Sequence, residues 1–387
     1  MRAGALSVPA LLERAQERTG LDGAGDLAAT ANLRRLVSAC QSTAALHAMG
    51  RQVLEKVVVR HLVNGLRLAD RLRHNPYLTA SPPAVALVIT GLPRTGTTLL
   101  HKLAALDPAH RVLRLWEGLS PVPPGPAGPE ADQARIRSAE AWLARALDLA
   151  PKMGTIHSLS AEGPEECDAL LQNEFASQHF DDMFDARDYS QWLYRAELSR
   201  EYASHALQLR VLEDHDHGTT RPWVLKSPSH LAHLRTLAAT YPDAVIVQCH
   251  RDPTEAVASW ASLVSAVRRP YTDELSARVV GEQCLRRSVV ATGRALEARQ
   301  ALGESRFVDV AYRDLLRDPV AVLAEIYHRM RRPLDGDAKA KMRAWVARNP
   351  QHRHGRHHYD PAGFGLDAPR VDQALAAYRD RFAWALT

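Results

Sequence analysis

VALVITGLPRTGTTLL, Val85 to Leu100, is an apolar run of β type that ends in a glycine-flanked loop and then opens a helix. Within it Gly91, Leu92, Pro93, Arg94, Thr95, Gly96, Thr97 and Thr98 fill the frame G-x-x-x-x-G-K-[ST] with one departure, Thr97 in the lysine position. Two glycines let successive backbone N–H groups turn inward, and a helix starting near Thr97 adds its own unpaired N–H groups and positive dipole end. The loop reads as an anion cradle. It lacks the lysine that reaches β- and γ-phosphates and carries the planar fork of Arg94 instead, so it suits an anion smaller than a nucleoside triphosphate.

A second apolar run, Ala244 to Cys249 in AVIVQCHRDPTEAVASW, reads as another buried strand with Arg251 at its C-terminal end. Pro253 is placed as a first-turn residue of the helix that follows, and Ser259 lies about two turns further on. Together with strand WVLKS (Trp223 to Ser227) and helical segments from His230, from Pro253 and across Glu274 to Ala301, the order is β-α-β-α. That alternation predicts a parallel sheet with its ligands at the C-terminal strand edge.

These residues resemble the sulfotransferases that use 3′-phosphoadenosine 5′-phosphosulfate (PAPS). The 5′-phosphosulfate loop of that family, P-[KR]-[ST]-G-[ST]-[TS] after a strand, is matched by Pro93 to Thr98 at every position. Its 3′-phosphate motif, R-D-P with a serine eight residues after the arginine, is matched by Arg251, Asp252, Pro253 and Ser259. FVDVAYRDLLRDP is similar to the next strand of the family and its turn into a helix, which marks Tyr312. The resemblance covers residues 80 to 385. It implies an α/β, P-loop-like, three-layer fold with a central parallel sheet flanked by helices over 80–387, after an N-terminal helical extension over 1–79.

Composition agrees with a globular enzyme. The chain has 387 residues, 46% apolar and 24% charged, enough for one large α/β domain with a helical extension. No apolar run approaches the ~20 residues of a spanning helix. The N-terminus turns charged and helical early, without the pattern of a secretory leader, and is read as cytoplasmic. Cys40, Cys167, Cys249 and Cys284 are widely spaced without C-x-x-C, which suggests neither a disulfide framework nor a zinc site. A formal charge of +5 without aromatic-interleaved basic runs fits a multiply anionic co-substrate and does not argue for nucleic acid.

Helices are expected across residues 9 to 75, from Thr97 through Leu106, over Ala131 to Ala150, over Glu165 to Phe184 and over Tyr194 to Leu212. The proline-glycine run PVPPGPAGPE must be an irregular loop and is a candidate lid. Trp116, Phe175, Phe180, Phe184, Trp192 and Tyr194 offer apolar surface for an acceptor, although aromatics at helical spacing are more often core.

Sulfuryl transfer needs a base for the acceptor hydroxyl, a clamp on the transferred group and a partner for charge on the leaving oxygen. Arg94 and the backbone of Thr95, Gly96, Thr97 and Thr98 supply the clamp. Lys226 ends its strand on the same sheet edge as Arg94 and Arg251, and a compact ammonium can sit on a bridging oxygen. The tyrosylprotein branch of the family carries a similar lysine. For the base, the resemblance to that branch favours Glu117, which would lose hydration beside Leu115 and Trp116; the competing reading is a loop carboxylate capping something nearby or pairing with Arg114. His157 and His230 are alternatives, and Glu165 and Glu166 read as complements to a helix N-terminus.

Arg251 and Ser259 would hold the 3′-phosphate, with Trp223 or Tyr312 bordering the adenine. The histidine-rich segment QHRHGRHHYDPAGFGL interleaves arginines among its imidazoles, which disfavours a metal. It reads instead as a basic loop closing on the 3′-phosphate through Gly355 and Arg356, as in the family. The expected reaction moves the sulfuryl group from PAPS to the hydroxyl of a small acceptor, such as a lipid, a polyketide or another secondary metabolite, with no metal. A P-loop-type kinase or nucleotide-binding protein without sulfuryl transfer is the alternative. Thr97 and the Cys249-His250-Arg251 strand end weigh against it, since magnesium chemistry needs a loop lysine and an acidic strand end.

Overall fold

The computed structural model describes residues 6–23, 29–151, 154, 159–215, 221–350 and 360–386. Four strands form one parallel sheet: β1 (Val85–Gly91), β2 (Trp223–Lys226), β3 (Val245–His250) and β4 (Phe307–Ala311), in spatial order β2-β1-β3-β4. Leu87, Val88 and Ile89 pair with Val224, Leu225 and Lys226 on one side and with Val245, Ile246 and Val247 on the other. The strands are apolar on both faces because helices cover both, as parallel sheets require. The chain leaves β1 for β2 on one side and then crosses to β3 on the other, so the C-terminal end of β1 lies where the winding reverses.

Helices α1 (Val8–Thr19), α2 (Thr30–Ser42) and α3 (Ala48–His74) precede the sheet. Their Leu11, Leu33, Leu54 and Val58 share one apolar cluster with Val88, Trp223 and Leu225, so the N-terminal helices and one face of the sheet have a common core. After β1 come α4 (Thr97–Ala104), α5 (Leu115–Leu119) and α6 (Pro129–Leu149). The proline-glycine run is irregular from Pro121 to Gly128; its first three residues are buried and the tip is exposed.

The single helix expected from Glu165 to Phe184 is three short pieces: α7 (Asp168–Leu171), a 3-10 turn Gln172–Glu174 and α8 (His179–Phe184). Phe175 sits at φ +50°, a left-handed geometry that stops a helix, and Asp185 at +55° ends α8 the same way. Next are α9 (Arg187–Leu193) and α10 (Ser199–His215), where one helix from Tyr194 was expected. The segment after Ser227 starts as a 3-10 turn, Pro228–His233, before α11 (Leu234–Thr240).

Asp252 caps α12 (Pro253–Arg268) by accepting from the Glu255 N–H, and Ser276 caps α13 (Ala277–Leu302) by accepting from the Val279 N–H. The chain closes with α14 (Tyr312–Arg317), α15 (Pro319–Arg329), α16 (Gly336–Arg348), α17 (Ala368–Ala374) and α18 (Ala376–Leu386). All four cysteines are buried free thiols.

Candidate active site

The loop after β1 is built by three unusual backbone residues: Gly91 at φ +148°, Arg94 at +70° and Gly96 at +93°. A Cβ on Gly91 would collide with the Cys249 carbonyl of β3, and one on Gly96 would lie 2.8 Å from Leu315 and 3.0 Å from Tyr312. Thr95 folds inward, its hydroxyl donating to the Leu92 carbonyl at 2.7 Å. No side chain caps α4, and the first-turn N–H groups of a helix have no carbonyl of their own, so the Thr97 and Thr98 amides face the cradle as donors.

Two further strand ends meet this loop. From β3, Arg251 donates through Nη1 to the Arg94 carbonyl at 3.1 Å, lies 4.6 Å over the Tyr312 ring and forks onto Glu255 at 2.8 and 3.0 Å. Arg94 in turn donates through Nε to Ser259 Oγ at 3.2 Å. Arg94, Arg251, Ser259 and Tyr312, distant in the chain, are therefore one contact group. From β2, Lys226 is almost wholly buried; its Nζ donates to Thr98 Oγ1 at 3.2 Å and pairs with Glu166.

Glu166 departs from its expected place. It does not complement a helix N-terminus; it meets Lys226 beside Thr98. Glu117, the favoured base, is buried with both oxygens engaged: Oε1 accepts from Arg111 at 2.9 Å and Oε2 from the Arg114 N–H at 2.8 Å, at the start of α5. It borders a separate cleft of about 790 Å³ with Lys102 and Arg114, one that neither Thr98 nor Lys226 lines. This geometry is that of a structural ion pair and helix cap.

The segment carrying Glu166 is stitched to the one carrying Lys226. The Cys167 N–H donates to the Lys226 carbonyl at 2.9 Å. Fully buried Asp168 accepts from Ser227, from Ser229 at 2.7 and 2.9 Å, and from Ser177 at 2.8 Å. His179, which sequence reasoning passed over, brings a ring nitrogen within 4.8 Å of Glu166 and Asp168 oxygens. Burial pushes its pKa down, but the carboxylates of Asp168, Glu166, Asp182 and Glu165 together outweigh burial and hold it above the ordinary value. Among the described residues this is the one group with metal-ligand spacing, and its carboxylates are already spent on Lys226 and three serine hydroxyls.

Trp223 does not border a nucleotide. It begins β2, at the opposite strand end from the loop, and is fully buried with Nε1 donating to Glu213 at 2.8 Å. His230 is also fully buried and bonded to the Tyr202 hydroxyl at 2.7 Å, and burial drives its pKa well below the ordinary value. Phe175, Phe180 and Phe184 are core, not pocket. Of the six aromatics proposed for the acceptor, Tyr194 borders a groove between α9 and α13, and Trp116 the cleft beside Glu117. His157, Gly355 and Arg356, with the rest of the histidine-rich run up to residue 359, lie outside the described residues.

An anion loop without the nucleotidase lysine, at the switch point of a parallel sheet and joined to a second arginine site, defines a transferase of the P-loop-like class. The sulfotransferase family model matches residues 86–336, and the chain belongs to that family. Over 284 residues it is 26% identical to the omega-hydroxy-beta-dihydromenaquinone-9 sulfotransferase Stf3 of Mycobacterium bovis; the match takes in 70% of this chain and 66% of that protein, just under two thirds of its length. The Mycobacterium tuberculosis Stf3 matches equally.

Among solved structures, sulfotransferase STF1 from M. tuberculosis superposes with a TM-score of 0.84 at 28% identity, covering 97% of this chain and 100% of that one. STF9 from Mycobacterium avium gives 0.82 at 26% identity, with 99% and 98% covered. The α/β, P-loop-like fold expected from the sequence is the fold observed.

Proposed function

We propose that the protein transfers the sulfuryl group of PAPS to the hydroxyl of a small-molecule acceptor by in-line displacement. The observation that carries this reading is the convergence of Lys226, Thr98 and Glu166 at the mouth of a loop whose Arg94 carbonyl is held by Arg251. The donors present fit the co-substrate: amides and Arg94 for the 5′-phosphosulfate, Arg251 and Ser259 for the 3′-phosphate, and the Tyr312 face beside them for the base. When bound, PAPS supplies the sulfuryl group and an anionic leaving phosphate.

Arg94 and the amides of Gly96, Thr97 and Thr98 orient the transferred group and stabilise its charge. Lys226 places its ammonium where the bridging oxygen departs. Glu166, a partly exposed carboxylate beside that ammonium, takes the acceptor's proton in the role first assigned to Glu117. Asp168 positions both by holding the 227–229 turn against the 166–168 segment. No metal enters this account. The name of the mycobacterial relative makes a lipid-like alcohol the first acceptor class to test.

Among the described residues no helix is long and apolar enough to cross a membrane. We place the enzyme in the cytoplasm and propose Gly355 and Arg356 as further 3′-phosphate contacts.

The test is a thermal-shift titration with 3′-phosphoadenosine 5′-phosphate (PAP), and separately with ATP plus magnesium. Stabilisation by PAP alone supports the reading. Stabilisation by ATP only, and only with magnesium, would replace it with a kinase-like enzyme.

A further inference from the structure

The geometry points to a second ligand site, outside the donor loop, that takes an amphiphilic organic anion: an apolar body carrying a sulfate or phosphate head. The site is the groove of about 460 Å³ between α9 and the first half of α13, closed at one end by Arg370 of α17. None of its lining residues belongs to the donor site, and the inference does not rest on the proposed reaction.

The rim is cationic beyond what its carboxylates can match. Arg187 is held by Asp185 at 2.8 Å, while Arg286 and Arg370 share Glu282. Arg195 and Arg278 have no carboxylate within 4.0 Å among the described residues. Guanidinium groups gathered around one opening repel one another, and a planar fork is the donor best matched to a tetrahedral oxyanion. An anionic head bridging Arg195 and Arg278 removes that repulsion.

The wall is apolar, formed by Val279, Val290 and the Tyr194 ring. Three polar atoms of groove residues are shut off from solvent without a hydrogen-bond partner: Ser190 Oγ, Asp181 Oδ1 and Arg287 Nε. Buried polar atoms of this kind are rare and call for a partner. Two donors and an acceptor among the lining residues suit a hydroxyl or amide on the ligand body, or the water it retains. Head, body and floor contacts together distinguish this groove from a scatter of solvated surface arginines.

The experiment titrates the full chain, saturated with PAP, with 1-naphthyl sulfate, 1-naphthyl phosphate and uncharged 1-naphthol by calorimetry, in the wild type and in the Arg195→Ala/Arg278→Ala double variant. Both positions are exposed, so the fold is retained, and unchanged PAP affinity verifies this. The expected result is that at least one naphthyl ester binds in the presence of PAP, that the double variant weakens it by about tenfold, the worth of one good charged contact, and that naphthol is unaffected. The ester that binds better tells sulfate from phosphate. Absence of binding, competition by PAP, or equal ester affinity in the double variant overturns the proposal. If PAP itself fails to bind, the donor reading falls, and the same titration on the PAP-free chain still decides the groove.

Discussion

The Arg251 guanidinium holds the backbone carbonyl of Arg94 at 3.1 Å, joining the two anion motifs across 157 residues of chain. The two motifs are thus one mechanical unit, and a change at Arg251 is felt at the Arg94 loop.

Arg251→Ala should weaken PAP binding by about 1.5–3 kcal/mol, the worth of a hydrogen bond to a charged group. Adenosine 5′-phosphosulfate, which lacks the 3′-phosphate, should lose less, only what the loosened Arg94 carbonyl costs. Calorimetric titration of both nucleotides distinguishes the cases, and equal losses would remove Arg251 from the 3′-phosphate.

Glu166→Gln should keep PAP affinity and lose turnover by about 10²–10⁴-fold, the range for a general base. Glu117→Gln should do the reverse: it weakens the pair with Arg111, so the melting temperature falls while kcat is largely preserved. Single-turnover rates with a lipid-like alcohol, beside melting curves, settle which carboxylate takes the proton. An active Glu166→Gln enzyme would exclude Glu166.

Gly96→Ala puts a methyl group 2.8 Å from Leu315 and 3.0 Å from Tyr312 at φ +93°. Strain of about 1–3 kcal/mol is expected. Because Tyr312 is also the ring under Arg251, PAP affinity should drop with it. A variant with wild-type melting temperature and PAP affinity would show that the loop does not need this conformation.

Burial holds the imidazoles of His61, His101, His205 and His233 neutral, with pKa values pushed down to about 3. An unfolded chain protonates them near the ordinary histidine value. Their contribution to stability is therefore complete above about pH 6.5 and is lost as pH falls from there toward 3, by about 1.4 kcal/mol per pH unit for each histidine. Urea midpoints measured from pH 7.5 to 5 should fall steeply on the acid side; a flat profile would mean that the rings ionise within the fold.

What the sequence revealed follows a physical division. The loop, its strand, Arg251, Ser259 and Lys226 were readable because strand ends and glycine positions are local properties. The pairing of Glu166 with Lys226 was not, because Glu165 and Glu166 look alike beside a helix start. What selects Glu166 is the Cys167 N–H bond to the Lys226 carbonyl, a contact between segments remote in the chain. The break at Phe175 was hidden for a similar reason. Its left-handed backbone is paired with a ring buried among Phe180 and His61, a tertiary arrangement that periodicity does not encode. Trp223 and Lys226 share one short strand, and only the sheet register puts Trp223 at the end away from the loop.

The strand order has a consequence for how the molecule is made. β1 is central, and both its neighbours, Trp223–Lys226 and Val245–His250, come far later in the chain. A polypeptide still emerging from the ribosome carries the whole anion loop long before anything exists to shape it, and Gly91 meets the Cys249 carbonyl only once β3 has been synthesised. Until then the apolar run of β1 is an unpaired edge, so the nascent chain depends on α1–α3 or on chaperones to shelter it. The loop takes its final shape late in synthesis, when the second half of the chain docks.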